Sequence, residues 1–94
     1  MQLGTFVVVR TYSAGVHCGT LAAQDGKNVT LKGARRIWRW YGANTLNELA
    51  LNGADKNGTR ISEPASEIDL TEAIEVIACT SEARDNLSQS RWAK

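Results

Sequence analysis

The chain carries no chemical staple. Its two cysteines, Cys18 and Cys79, cannot build a disulfide-dense scaffold, and with the single histidine, His17, they fall short of the four ligands of a structural zinc. Ninety-four residues make one domain, 1–94, and a domain of this size buries only roughly 60–65% of the surface its unfolded chain exposes. Apolar packing between regular elements must hold it, with oligomerisation as the remaining remedy. The cysteines then read as buried apolar fillers in a chain of cytosolic type. Residues 1–5 lack a basic start, and the apolar run 6–9 is too short for a signal peptide or for the ~20 apolar residues of a membrane span, so neither is expected.

The elements follow from patterning. Phe6-Val7-Val8-Val9 is a β-branched run buried on both sides, and Arg10-Thr11-Tyr12 extends it with alternation. Ser13-Ala14-Gly15 is a bend, and 16–32 reads as a hairpin whose turn contains Asp25-Gly26. After a kink at Gly33, 34–40 continues the strand, with Trp38 and Trp40 expected on one face and Ile37 and Arg39 on the other. Thr45-x-x-Glu48 is a capping box opening a short helix that Gly53 closes. Residues 55–64 read as a polar loop. The β-branched Ile74, Val76 and Ile77 tip 68–79 toward strand, and Thr80 or Ser81 caps a last helix, with Trp92 closing the chain. The expected fold is α+β: a small antiparallel sheet of four to six strands with two short helices, oligomeric.

The net charge of +1 hides an asymmetry: residues 1–41 hold six basic groups against one acid, and 42–94 hold nine acids against five basic groups. That reads as cross-strand pairing or as a basic site for an anion. A DNA-coating surface would need a broad basic face and a higher pI than 7.8.

No catalytic constellation stands out. His17 and Cys18 are neighbours on a strand and point to opposite faces, Ser13 lacks a nucleophile elbow, and no Gly-Lys-Ser/Thr follows Gly15 to make a phosphate loop. Glu63, Glu67, Asp69, Glu72 and Glu75 read as a solvated face. Binding features are richer. Lys32, Arg35, Arg36 and Arg39 interleave with Trp38, Trp40 and Tyr41: guanidinium forks take phosphate oxygens and indole faces stack on nucleobases. The plain alternative is that the tryptophans are core and the arginines pair with the acidic half. Arg10, after an apolar strand and beside small residues, is anchored to a carboxylate or aimed at an anion. Thr11, Ser13 and Asn44 offer polar groups for ribose hydroxyls, and Tyr12 and His17 a ring or ring edge.

Four blocks, Val9-Arg10-Thr11-Tyr12-Ser13-Ala14-Gly15-Val16-His17-Cys18-Gly19, Ala34-Arg35-Arg36-Ile37-Trp38-Arg39-Trp40, Leu46-Asn47-Glu48-Leu49-Ala50 and Leu70-Thr71-Glu72-Ala73-Ile74-Glu75, together resemble a family of small phage proteins, the first-described Thoeris anti-defence proteins. The resemblance implies a sponge that sequesters a cyclic ADP-ribose-type signal, in some relatives also cyclic oligonucleotides, without degrading it. It implies dimers or hexamers with pockets between subunits, in the cytoplasm of the infected host, with no cofactor or metal, no long nucleic acid and no membrane. Ligand contacts implied by the family are an arginine of the first strand, matched by Arg10, and one near the C-terminus, matched by Arg91. Gly58-Thr59-Arg60-Ile61 departs from the family pattern, in which an aromatic is expected before the acidic strand. The alternatives are a phage structural or interaction protein with no nucleotide ligand, and a small cyclic-nucleotide hydrolase.

Overall fold

A computed structural model describes residues 1–89. Six antiparallel strands and two helices follow in the order β1 (Phe6–Thr11), β2 (Val16–Asp25), β3 (Asn28–Arg39), α1 (Leu46–Asn52), β4 (Arg60–Ile61), β5 (Ala65–Leu70), β6 (Ala73–Ala78) and α2 (Ser81–Leu87). This is the α+β fold that the patterning implies. The sheet runs β4-β3-β2-β1-β6, with β5 also pairing with β3.

Strand alternation divides the interior in two. In an antiparallel sheet, residues opposite one another share a face. One row therefore runs Ile77–Val8–Cys18–Arg35, and the next row on the opposite face runs Val76–Val9–His17–Arg36. The first face packs under the helices: Val8, Cys18, Ile37 and Ile61 meet Leu49, Ala50 and Leu87. The second face carries no helix among the described residues. There the sheet coils upon itself, so that Val7 and Val9 of β1 meet Leu21, Val29, Leu31 and Leu70. The Lys27 carbonyl of the β2–β3 turn accepts from the Ala73 N–H at 3.0 Å and ties this curl to the start of β6. Burying seven or eight apolar side chains on each side, at about 1.5–3 kcal/mol each, is how so short a chain offsets its ordering entropy.

Bulges produce the bend. The β2–β3 register shifts between Cys18 and Thr20, where β3 holds one extra residue around Gly33, at φ 59°. A left-handed residue is needed there, and only glycine adopts that conformation cheaply. Opposite it, a Cβ on Gly19 would come within 3.1 Å of the Lys32 carbonyl. Beyond the bend, β3 exchanges β5 for β4 as its outer neighbour. The helices begin as expected. The Thr45 hydroxyl accepts from the Glu48 N–H at 3.2 Å, and the Thr80 hydroxyl accepts from the Ala83 N–H at 3.1 Å.

The structure corrects three details. The expected loop 55–64 contains β4, whose two residues are too short to show any period. The stretch 68–79 is two strands, because β5 begins at Ala65 and Thr71-Glu72 turn the chain away from β3 toward β1. A further bulge, at Trp38, redistributes the aromatics. Trp92 lies outside the described residues. No described helix is long and apolar enough to cross a membrane.

Candidate functional site

Opposite pairing of His17 and Arg36 on β2 and β3 puts both side chains on the helix-free face. The Arg36 Nε–H donates to His17 Nε2 at 3.2 Å. An imidazole nitrogen that accepts must lack a proton, so the ring is neutral and any proton sits on Nδ1. Burial, with the adjacent Arg36 charge adding to it, pulls the His17 pKa down to about 4. His17 is 1% exposed, whereas Arg36 is exposed. The histidine is thus a neutral bracket that orients a solvent-facing guanidinium. Nδ1 is buried without a hydrogen-bond partner among the described residues, a vacant donor next to the arginine.

These two residues line a cavity of about 220 Å³ between the β3 bend and the start of β5. Ser62 and Glu63 complete its polar side, and Ala34 and Ile68 its apolar side. The Ser62 hydroxyl accepts from the Arg36 N–H at 2.8 Å and donates to the Glu63 carbonyl, and the Ser62 N–H donates to the Arg36 carbonyl at 2.9 Å. No carboxylate among the described residues forms an ion pair with Arg36.

A bulge follows on β3 beyond the cavity. Ile37 pairs with Ile61 but Arg39 pairs with Arg60, which leaves Trp38 as the extra residue on β3. An extra residue sends two consecutive side chains to the same side. Arg39 accordingly lies over the Trp38 ring, 5.0 Å from its centroid, and Trp38 is 57% exposed. After the bulge the alternation is inverted, and Trp40 packs against the helix-side core beside Ile37. This corrects the expected arrangement. Trp38 joins Arg36 and Arg39, while Trp40 is a packing residue.

The other expected site residues disperse. Arg35 is 5% exposed, and its guanidinium donates to the backbone carbonyls of Ser62 (2.7 Å), Ser88 (2.7 Å), Leu87 (3.4 Å) and Ile61 (3.5 Å). It ties β4 to the end of α2 and is therefore structural, a correction to its assignment as a ligand contact. Arg10 shares its row with Val16 and Ile37, so it lies on the helix-side face. There it meets Glu75 across 3.4 Å with both side chains about half exposed. Thr11 closes the following turn: its hydroxyl donates to the Gly15 carbonyl and accepts from the Ala14 N–H, both at 2.8 Å. Tyr12 is 77% exposed, and Ser13 donates to Glu72 at 3.4 Å. The Asn44 N–H and side-chain amide both donate to the Glu48 carboxylate at the start of α1. Arg91 lies outside the described residues. Of the expected set, one protomer brings His17 and Arg36 together at the cavity, with Trp38 two residues further along β3 on the same face.

Ser62 was missed by sequence reasoning and Glu63 was read only as part of a solvated face; both follow β4, and only the pairing of Ser62 with Arg36 brings them to the cavity. A larger hollow of about 340 Å³ lies at the β2–β3 hairpin end. Asp25 and Asp69 line it and Thr30 donates to Asp69 at 2.6 Å, an acidic setting that repels an anion. Cys18 sits in the helix-side core, on the face opposite His17, and Cys79 is half-buried with its pKa raised to about 11 by burial, so the Cys79 thiol is not activated. No group of three metal-ligating side chains occurs among the described residues.

A family model described as "Domain of unknown function (DUF6948)" matches residues 4–87, and the chain belongs to that family. No curated protein and no solved structure matches it.

Proposed function

We propose that the chain is a binding protein that captures a small anionic nucleotide without turning it over. The phosphate would sit against Arg36 and a base against the Trp38 rim. The observation that carries this reading is the guanidinium of Arg36, held at a cavity mouth by a neutral histidine instead of a carboxylate. An arginine pinned through Nε keeps its two terminal nitrogens for a bidentate anion. Glu63, on the same wall, suits ribose hydroxyls as an acceptor. The resemblance to the Thoeris anti-defence family narrows the ligand to a cyclic ADP-ribose-type signal, or a cyclic oligonucleotide, sponged in the cytoplasm of an infected bacterium.

Magnitude sets a condition on this reading. Small-molecule pockets that bury their ligand span ~300–1,000 Å³, whereas this cavity holds about 220 Å³. It takes a phosphate and part of a sugar. Nanomolar capture requires about 12 kcal/mol, and each charge-assisted bond or stack returns roughly 1–3. Further contacts must come from a second subunit.

Native mass spectrometry of the full chain with cyclic ADP-ribose isomers and cyclic dinucleotides tests this. The expected result is a retained ligand that heat denaturation releases intact. Cleaved ligand would mean an enzyme. No retained ligand from the panel would favour the interaction-protein reading.

A further inference from the structure

We propose that the outer edge of β6 pairs antiparallel with β6 of a second copy of this chain, about a two-fold axis at Ile77. β6 ends the sheet, and its principal neighbours among the described residues are β1 and α1. The hydrogen-bond phase of the edge is fixed by one contact. The Cys79 N–H donates to the Phe6 carbonyl at 2.8 Å, and these residues are opposite in the register that pairs Val8 with Ile77 and Arg10 with Glu75. Such pairs alternate along a ladder. Ile77 and Glu75 therefore turn their backbone groups toward β1, and Val76 and Ala78 turn theirs outward. At the other end, the Ala73 N–H is taken by Lys27, and Ile74 is the extra residue of a bulge opposite Arg10. What remains open among the described residues is short: two donors and two acceptors on Val76 and Ala78.

That set is its own complement. A two-fold axis at Ile77 sets Val76 opposite Ala78 of the second copy, and Ala78 opposite its Val76, which satisfies all four groups. The two Ile77 side chains then face each other. Each Glu75 falls opposite a Cys79, which keeps the two Glu75 positions about 14 Å apart along the strand at the ~3.4 Å rise per residue. Glu75 also brings its own counterion in Arg10. The other edges are guarded in the usual ways. β4 has two residues, and β5 follows Pro64 and carries Glu67 and Asp69, so two copies paired there would oppose acid with acid. β6 has neither proline nor lysine. The pairing stands whether or not the Arg36 cavity takes a nucleotide.

Sedimentation equilibrium of the full 10.2 kDa chain tests the proposal, with two variants of the exposed Ala78. Ala78→Pro removes an outward donor and leaves the β1 ladder intact; Ala78→Lys sets an ammonium on the shared edge. The expected result is a wild-type dimer whose dissociation constant rises at least tenfold in both variants, with unchanged far-ultraviolet circular dichroism. If Ala78→Pro does not fold, Ala78→Lys decides alone. A wild-type monomer at several hundred micromolar overturns the proposal. So does an oligomer equally stable in every folded variant.

Discussion

Arg36 donates its Nε–H to the Nε2 of His17 across 3.2 Å, and the acceptor ring is 1% exposed while the donor is exposed. The pair converts a buried histidine into a fixed neutral acceptor. A pH dependence follows. In the unfolded chain the imidazole takes a proton near pH 6.5; in the native state it holds out until about 4. The unfolded state therefore binds more protons in that interval, and stability falls as pH drops from about 6.5 to 4. At ~1.36 kcal/mol per unit the full effect is about 3 kcal/mol. Urea melts should show this slope in the wild type and lose most of it in His17→Gln, which keeps an acceptor but cannot charge. A parallel slope in both would assign the loss to the carboxylates.

Neighbouring arginines on β3 should behave as opposites. Removing Arg35 strands the carbonyls of residues 61, 62, 87 and 88, of which the contacts to 61 and 87 are buried and those to 62 and 88 part-buried; each carbonyl that water cannot reach costs about 1–3 kcal/mol. Arg35→Ala should cost about 3 kcal/mol or more of stability and detach α2. Arg36→Ala should change thermal stability little but abolish ligand retention, and Arg36→Lys should rescue it only in part because the fork is lost. Paired melting and binding measurements check this. Equal destabilisation by both would remove Arg36 from the site.

The two helix caps differ in what else they hold. Thr45 caps α1 alone, and Thr45→Ala should cost about 1 kcal/mol. The Thr80 hydroxyl caps α2 and also donates to the Leu51 carbonyl at 2.6 Å, while its N–H donates to the Ala50 carbonyl at 3.0 Å. Thr80→Ala removes both hydroxyl contacts and should cost about 2 kcal/mol. Chemical denaturation that ranks the two in the other order would mean that the Thr80–Leu51 bond contributes nothing.

Sheet and helices were legible because local rules wrote them: β-branched runs, Asp25-Gly26 at the hairpin, and threonine caps before both helices. The site was half legible. Residue type flagged Arg36, His17 and Trp38, but the same signal flagged Arg35, and only burial separates an arginine that ties carbonyls from one that faces solvent. Arg10 and Arg36 lie on opposite faces of the sheet, a consequence of strand phase across β1 and β3 that composition does not carry. β4 was invisible because it has two residues, and with it Ser62 and Glu63. Bulges at Gly33 and Trp38 inserted single residues, and one residue suffices to reverse every later assignment of face.

Trp38 and Trp40 are the sharpest test of that reversal. An uninterrupted strand would put both indoles on one face, and substituting either would have similar effects. With the bulge, Trp40 leaves the strand into the helix-side core with Ile37, whereas Trp38 is 57% exposed under Arg39. Trp40→Ala should therefore destabilise the fold by about 2–3 kcal/mol, toward the low end of large-to-small core substitutions because the ring is only partly buried. Trp38→Ala should cost under about 1 kcal/mol, the worth of an exposed cation–π contact, yet weaken nucleotide retention by roughly tenfold, which is one lost stack. Melting curves and binding isotherms of the two variants, measured side by side, separate the outcomes. If Trp38→Ala loses stability while Trp40→Ala does not, the bulge has been placed on the wrong residue, and the Trp38 rim of the site goes with it.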